Sequence, residues 1–434
     1  MGEADESDMG TNVIERPAVG RPAPGGESNQ DRAIVYLPIV IRVMLAIGIV
    51  LILLGTSIGL IRDGALPTPV ISFSNLPSML ASFDAAAFIT LGILVCLITP
   101  ATYIFYMGVS YAHARDRMYT LIAGIVFLIL VGSIVVTALT GASNVIEAKP
   151  ALSLGNQFGI LVVSAVAGVL GSMLGLGGGV FIVPVVSVFF GVPLKVTIAA
   201  SAVSVVVNSL GGTSVYLKHD MSNVRLGLVM ELTTAVGAII GSLIVVAIAP
   251  DVLRVIFGIA LLAMGIAMFL RQNQRVAVTS GPDPLRLRQV FHDPSTNEEI
   301  EYIPQRIKLG VAASSLAGII SGMLGIGGGA VKVPILNGVM RVPVKAAAAT
   351  SVFMVGITVS VSAFIYYLHN IIDLSVTAPA VLGVIIGSQT GARVSRHLKN
   401  AVLIRFLVLI LVYLAVTLLL QAFGINLPGT SSGK

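Results

Sequence analysis

The chain has 434 residues, of which 56% are hydrophobic and 11% charged, and its formal net charge is +6. Soluble globular proteins carry about 25% charged residues, so this composition excludes an ordinary soluble domain and indicates a membrane protein with room for about ten or more spans. The positive charge does not indicate nucleic-acid binding, because basic residues of membrane proteins collect in cytoplasmic loops.

The N-terminal part of the chain is predicted to be a polar tail followed by a small membrane domain. Residues 1–33 are rich in Gly, Pro and acidic residues, which predicts a disordered cytoplasmic tail and not a signal peptide. Three apolar runs then predict three spans within a domain at 34–145: 34–61, 85–108 and 119–140. The single cysteine, Cys96, lies in the second run, which excludes an internal disulfide and a cysteine-based metal site.

Two blocks of similar build follow, at 157–271 and 309–423. The glycine-rich stretch GSMLGLGGGVFIVP begins at Gly171, and SGMLGIGGGAVKVP begins 150 positions later at Ser321. Further identities keep the same offset without a gap, so the blocks form an internal repeat. The segment between them, 272–308, holds several prolines and many charges, which predicts a solvated cytoplasmic linker.

Each repeat is predicted to contain five helical elements, which in the first repeat are 158–174, 180–190, 196–217, 226–248 and 252–270. The first two, with the glycines between them, cover 33 residues, about 50 Å of helix, whereas two membrane crossings need about 60 Å and a turn. We therefore expect a hairpin of short helices whose glycine tip lies inside the membrane. Three crossings remain per repeat, and this odd number predicts opposite orientations of the two repeats.

The distribution of basic residues agrees with inverted repeats. With the N-terminal tail in the cytoplasm, the outer side holds only these basic residues: Arg62, Lys149, Lys195, Arg254 and Lys434. The other basic residues of the loops fall inside, as the positive-inside rule requires. The sequence thus predicts an all-α polytopic protein of the cell membrane, with its N-terminus and central loop cytoplasmic and its C-terminus outside.

The glycine tips suggest an anion site. Inverted repeats with broken helices are typical of secondary transporters, which bind substrate near the bilayer midplane. The second helix of each hairpin begins just after the glycines, so its first N–H groups lack helical partners and carry partial positive charge. Two such ends facing each other could bind an anion. The predicted binding glycines are Gly175, Gly177, Gly178, Gly179, Gly325, Gly327, Gly328 and Gly329, and the predicted helix breaks are Pro184 and Pro334.

Glycine-rich runs also occur in phosphate-binding loops and at close helix contacts. A Walker-type phosphate loop needs Lys and Ser or Thr after the glycines, where this chain has Val180 and Phe181 in one copy and Ala330 and Val331 in the other. A nucleotide site is therefore disfavoured. Glycines that only allow close helix packing in lipid stay open as an alternative.

The repeated motifs resemble a known family. GLGGGVFIVP and GIGGGAVKVP, together with GVPLKVTIAAS and RVPVKAAAATS after them, resemble the TauE/SafE sulfite exporter family over about 157–423. The resemblance implies a transporter of small sulfur-containing anions, such as sulfite, sulfonates or sulfoacetate-like compounds. The stretch TLGILVCLITPATYIFYMGVSYAHARDRMY is similar to a small uncharacterised membrane domain found beside such transporters.

Several polar residues are candidates for the site. Lys332 stands where the first repeat has Ile182, and it either contacts the anion or snorkels to an interface. Glu231 has the uncharged Val381 as its counterpart in the other repeat. It either carries coupling protons or lies at the cytoplasmic interface, and we favour the interface. Small polar donors either bind the anion or bond neighbouring helices: Ser201, Asn208, Thr350 and Ser351.

The sequence therefore predicts a secondary transporter in which a small inorganic or organosulfur anion binds between the tips and the repeats rock. An inside-negative potential favours exit of each anionic charge by about 2.3 kcal/mol per 100 mV, which favours export. An anion channel, or an uptake permease coupled to protons or sodium, is the alternative. We expect the lipid bilayer as a partner, no cofactor, no metal, no nucleic acid and no enzymatic activity, and a homo-oligomer is compatible with the sequence.

Overall fold

The structure is a computed structural model that describes residues 36–139, 152–174, 177–270, 282–293, 298–394 and 400–425. The predicted tail at 1–33 lies outside these residues. Eight helices in the described part are long and apolar enough to cross a membrane, and strand occurs there only as one short hairpin. The prediction of an all-α polytopic membrane protein is confirmed.

The N-terminal region forms the three predicted long helices and one short helix that was not predicted. They are α1 (Leu37–Arg62), α2 (Leu76–Ala81), α3 (Ala85–His113) and α4 (Arg117–Leu139). Asp84 caps α3 by accepting hydrogen bonds from the N–H groups of Ala86 and Ala87. Helices α1 and α3 approach closely because Gly48 and Gly92 have no side chains to separate their backbones.

Each repeat contributes five helical elements. In the first repeat they are α5 (Leu154–Leu174), α6 (Gly179–Phe190), α7 (Leu194–Lys218), α8 (Val224–Ala247) and α9 (Pro250–Leu270). In the second they are α10 (Ile307–Leu324), α11 (Gly329–Pro334) with a π-helical turn at Ile335–Val339, α12 (Val344–Leu368), α13 (Leu374–Val394) and α14 (Asn400–Ala422). Helices α7 and α12 are the most buried of the long helices.

The hairpin helices are less alike in length than the sequence predicts. Helix α5 begins at Leu154 and has 21 residues, which suffices for a span, whereas α6 has 12. The expectation of two short helices is therefore wrong for the first member of each hairpin, since α10 also reaches span length.

The predicted helix break at Pro184 is absent. Pro184 lies inside α6, which continues to Phe190, because neighbouring helices can satisfy the carbonyl group that a proline leaves unpaired. Pro334 does mark a change, since α11 ends there and the π-helical turn follows. The break in the first hairpin lies instead at its glycines.

The two repeats pack through reciprocal helix pairs. A Cβ atom on Gly387 of α13 would collide with the carbonyl oxygen of Ala165 on α5. The counterparts 150 positions away make the same contact, between Gly237 of α8 and Ser315 of α10. The first helix of each repeat therefore packs on the fourth helix of the other, at distances that only glycine permits.

Equivalent loops of the two repeats lie at opposite ends of α3. Near its start, the N–H of Ile71 donates to Thr90 Oγ1 of α3 at 3.3 Å. In the same segment, the carbonyl oxygen of Thr68 accepts from the N–H of Leu374, after the α12–α13 loop, at 3.0 Å. Just past its end, Asp116 forms an ion pair with Arg225, after the α7–α8 loop, at 3.6 Å. Helix α3 has 29 residues and is about 43 Å long.

The linker is more ordered than predicted. Residues Gln289–Asp293 (β1) and Glu298–Tyr302 (β2) pair as an antiparallel hairpin, and Phe291 and Tyr302 are buried. The amide of Asn223 donates to the carbonyl oxygen of Leu287 at 2.8 Å, which ties the linker to the start of α8. Burial raises the pKa of the Tyr302 phenol, so it stays protonated and donates to Gln289. The sequence predicts a solvated linker, and the structure adds to it a hairpin whose residues Phe291 and Tyr302 are buried.

Candidate functional site

The glycine runs break the two hairpins. Gly177 and Gly178 have φ of +78° and +84°, and Gly325, Gly327 and Gly328 have φ of +61°, +83° and +64°. Only glycine adopts this left-handed region readily, so these residues reverse the chain where a side chain would strain it. Helices α6 and α11 begin at the next residues, Gly179 and Gly329.

The two glycine runs contact each other. A Cβ atom on Gly179 would lie 2.9 Å from the carbonyl oxygen of Gly325, and one on Gly177 would lie 3.9 Å from that of Ile326. Gly175, the remaining predicted binding glycine, lies outside the described residues. The start of α6 therefore lies against the glycine run that leads into α11, and Gly179 and Gly329 are both buried.

The contact lies beside the midpoints of α7 and α12. A Cβ atom on Gly327 would lie 2.6 Å from Val355 and 2.8 Å from Val205. These valines are repeat counterparts, and each stands near the middle of its 25-residue helix. The glycine runs are therefore held at half the height of the two central helices.

Two of the candidate hydroxyl groups have protein partners. Ser201 on α7 donates to the carbonyl oxygen of Gly325 at 2.9 Å, which fastens the second glycine run to the first repeat. Thr350 on α12 accepts from the N–H of Asn223 at 2.9 Å. In this conformation both form the interhelical bonds that the sequence left open as an alternative to anion binding.

Other polar candidates are differently placed. The hydroxyls of Ser351 and Ser321 are buried and have no hydrogen-bond partner among the described residues. Ser321 lies beside the second tip, with its hydroxyl 3.1 Å from the position of a Cβ atom on Gly328. Asn208 on α7 is half-buried. Ser321 was not predicted as a site residue. Its position at the start of the motif SGMLGIGGGAVKVP, close to the glycines, was the available signal.

Lys332 and Glu231 form a buried cluster with Thr358. The Nζ of Lys332 donates to Thr358 Oγ1 at 2.5 Å, and that hydroxyl donates to Glu231 Oε1 at 2.5 Å. The distance from Nζ to Glu231 Oε2 is 3.8 Å, and neither charged side chain is exposed. The expectation that Glu231 lies at the cytoplasmic interface is wrong, and Lys332 does not snorkel. Both residues face protein because a charge inside a membrane protein is stabilised there by an opposite charge.

The charged cluster joins both repeats, and the repeat-related positions hold no second cluster of this kind. The offset of 150 relates its members to Ile182, Asn208 and Val381, which carry no charge. Thr358 was missed by the sequence analysis, although it is the counterpart of the candidate Asn208. Two opposite charges that each break the repeat symmetry were the signal that they pair with each other.

The chemistry available at this place is recognition of charge. The described residues contain no group of three or more His, Cys, Asp or Glu side chains that could hold a metal ion. One ammonium group, one carboxylate, several hydroxyls and two helix N-termini surround the glycine contact. Such a set can bind and release a small anion.

Comparisons with known proteins agree with this geometry. A model of the family described as "Sulfite exporter TauE/SafE" matches residues 160–418. A second model, described as a protein of unknown function (DUF1634), matches residues 38–135. No solved structure matches the chain.

Curated relatives carry transporter names. The chain is 27% identical over 262 residues to the probable membrane transporter protein YunE of Bacillus subtilis, covering 58% of this chain and 94% of that protein. It is 25% identical to a probable membrane transporter protein of Xylella fastidiosa, covering 58% and 94%. It is 26% identical to the probable membrane transporter protein MamO of Paramagnetospirillum magneticum, covering 58% of this chain but 42% of that protein. These names point to a transporter and not to an enzyme.

Proposed function

Because the chain belongs to the TauE/SafE sulfite exporter family and is a multi-pass membrane transporter, we propose that it moves small sulfur-containing anions by alternating access. Sulfite, sulfonates and sulfoacetate-like compounds are the proposed substrates. The proposed location is the cell membrane, with the N-terminus and the linker in the cytoplasm.

One observation carries this proposal: the start of α6 lies against the second glycine run at half the height of α7 and α12, and the buried Lys332 is in the first turn after that run. Helix N-termini stabilise negative charge, and glycines let an anion approach the backbone. The buried hydroxyl of Ser321 beside Gly328 adds an unused hydrogen-bond donor suited to a sulfite or sulfonate oxygen.

The contacts around α3 support an inverted arrangement of the repeats. The α7–α8 loop and its counterpart, the α12–α13 loop, contact the chain near opposite ends of this one helix. Inverted repeats around a central site are the architecture in which alternating access is built from one structural unit used twice.

The cross-repeat helix pairs limit what can move. Because α5 packs on α13 and α8 packs on α10, a whole repeat cannot rock against the other as a separate body. We propose that the moving parts are these mixed pairs, which shift against α7 and α12 and expose the glycine contact to one side at a time.

Direction follows from energetics when no other ion is coupled. An inside-negative potential then favours export by about 2.3 kcal/mol per anionic charge per 100 mV. Uptake needs a coupled proton or sodium ion, and an anion channel is the remaining alternative.

Counterflow in proteoliposomes tests the proposal. The purified full-length protein is reconstituted and screened with labelled sulfite, thiosulfate, taurine, sulfoacetate and chloride. We expect saturable flux of at least one sulfur anion that the same anion accelerates from the opposite side. Flux without such acceleration indicates a channel, and saturable flux of chloride alone contradicts the proposed substrate class.

A further inference from the structure

We propose that Glu231 and the transported anion compete for Lys332, so that each anion bound at Lys332 is accompanied by one proton on Glu231. This inference rests on the proposed anion transport and adds the coupling ion and the residue that carries it. It starts from the only buried Lys–Glu pair among the described residues.

The pair is joined loosely enough to be separated. No direct hydrogen bond links the two charged groups, because the distance from Nζ to Oε2 is 3.8 Å and Thr358 bridges them instead. Glu231 Oε2 has no hydrogen-bond partner among the described residues. An anion oxygen can therefore replace the carboxylate beside Nζ without breaking a direct bond between the two side chains.

Lys332 is also near enough to the glycine contact to meet an anion there. Its N–H donates to the carbonyl oxygen of Gly328 at 2.8 Å, which places it in the first turn after the second glycine run. Thr358 follows Val355 by three residues, about one turn of α12, and the side chain of Val355 packs against Gly327. The cluster is therefore an extension of the proposed anion site.

Charge balance supplies the reason for the proton. Without substrate, the ammonium of Lys332 and the carboxylate of Glu231 cancel. A monoanion that binds the ammonium leaves the carboxylate as an uncompensated buried charge, which is strongly unfavourable. Transfer of one proton from water to the Glu231 carboxylate restores neutrality, and its return to water on the other side accompanies release of the anion. The anion and the proton thus move in the same direction.

Among the groups that lie around Glu231, its own carboxylate is the one that can accept a proton. Besides Lys332 these are the hydroxyls of Thr358 and Thr234 and the phenol of Tyr103 on α3. The hydroxyls and the phenol are neutral at physiological pH, so the carboxylate is the group among them that can gain a proton. Transport of a monoanion with one proton carries no net charge, and the anion and proton gradients then determine its direction. This favours the proton-coupled alternative over potential-driven export.

The test measures anion and proton movement together in proteoliposomes that contain a pH-sensitive dye. It uses the sulfur anion that the wild type transports in the counterflow screen, supplied as the monoanion. We expect about one proton per anion for the wild type. Glu231→Gln lowers this ratio to near zero, whatever its remaining rate, and makes the flux depend on membrane potential. Glu301→Gln, which changes an exposed carboxylate in β2, is the control and keeps the wild-type ratio.

A double variant tests whether transport needs the Lys332–Glu231 pair, and the repeat counterparts supply its two replacement residues. Lys332→Ile combined with Glu231→Val gives each position the residue of its counterpart in the other repeat, Ile182 and Val381, and it leaves no charge unpaired. We expect this variant to be folded, judged by a single symmetric gel-filtration peak and by its Tm, and to lose at least about tenfold in saturable anion flux.

Several outcomes overturn the inference. Wild-type flux of the anion without proton movement contradicts it and leaves the proposed function intact. Wild-type rate and proton ratio in the double variant show that the pair is only structural. Absence of saturable flux for every sulfur anion overturns the proposed function and this inference with it.

Discussion

The ammonium of Lys332 lies 3.8 Å from the carboxylate of Glu231, although the two residues belong to different repeats of the chain. Each breaks the repeat symmetry, since the counterparts are Ile182 and Val381. The two departures compensate each other in charge. A change at one of these positions is therefore tolerated in the interior only together with a change at the other.

Stability should reveal this compensation. Lys332→Ile or Glu231→Val alone leaves one buried charge without its partner, and each should destabilise the protein by about 3–5 kcal/mol. The double variant Lys332→Ile with Glu231→Val should recover most of that loss. Thermal unfolding in detergent checks this through the Tm of the four proteins. Losses that simply add in the double variant contradict the pairing.

Substitutions at the glycine tips should lower transport, whereas a substitution at a glycine of similar positive φ outside the site should not. In Gly178→Ala, at φ +84°, the new Cβ lies 3.0 Å from the carbonyl oxygen of Ala167. In Gly328→Ala, at φ +64°, it lies 2.8 Å from the side chain of Ser321. We expect each to lower anion flux at least about tenfold and to cost about 1–2 kcal/mol in stability from the left-handed conformation.

Gly64 provides the control for the tips. It has the same φ of +64° as Gly328, but nothing lies within 4 Å of the position of its Cβ. Gly64→Ala should therefore lose similar stability and keep wild-type flux of the transported anion. Equal loss of flux in all three variants would mean that general destabilisation, and not the tips, explains the effect.

Cysteine labelling should reveal the orientation of the repeats. Asp220 and Asn370 are repeat counterparts, both are exposed, and their φ values are +50° and +58°. In a Cys96→Ala background, an impermeant maleimide added to intact cells should label Asn370→Cys and not Asp220→Cys. Lysed cells should show labelling of both. Labelling of both positions from outside would contradict inverted repeats.

The cross-repeat helix pairs should be sensitive to a single methyl group. In Gly387→Ala or Gly237→Ala the new Cβ collides with a carbonyl oxygen of the facing helix, which should cost about 1–3 kcal/mol or more. Gly132→Ala on α4 is the control, since nothing lies within 4 Å there and alanine favours a helix by about 1 kcal/mol. Thermal unfolding measures both effects, and equal Tm values for the three variants would contradict close packing at these pairs.

The sequence predicted the helical elements because apolar runs and the constant offset of 150 are local patterns. The predicted runs end within five residues of the helix ends, the largest difference being 108 against His113, and the three N-terminal spans were identified. The π-helical turn after Pro334 and the continuous helix through Pro184 were not predicted, because neighbouring helices decide how a proline is accommodated.

The candidate site was predicted in part. The sequence named the glycines that contact each other, and it named Lys332 and Glu231 separately. It did not pair these two, which lie 101 positions apart, although both break the repeat symmetry with opposite charges. The bonds of Ser201 and Thr350 depend on which helices become neighbours, and that is determined by tertiary packing.

The reciprocal contacts of Gly387 with Ala165 and of Gly237 with Ser315 also constrain biogenesis. When the ribosome has completed α9, neither α5 nor α8 has met its partner, because α10 and α13 have not been synthesised. Until then, the faces of α5 and α8 that carry Ala165 and Gly237 have no partner helix in the bilayer. Both helix pairs are complete only after α13 is inserted. Two halves produced as separate chains each carry one member of both helix pairs, so we expect them to assemble when they are made together.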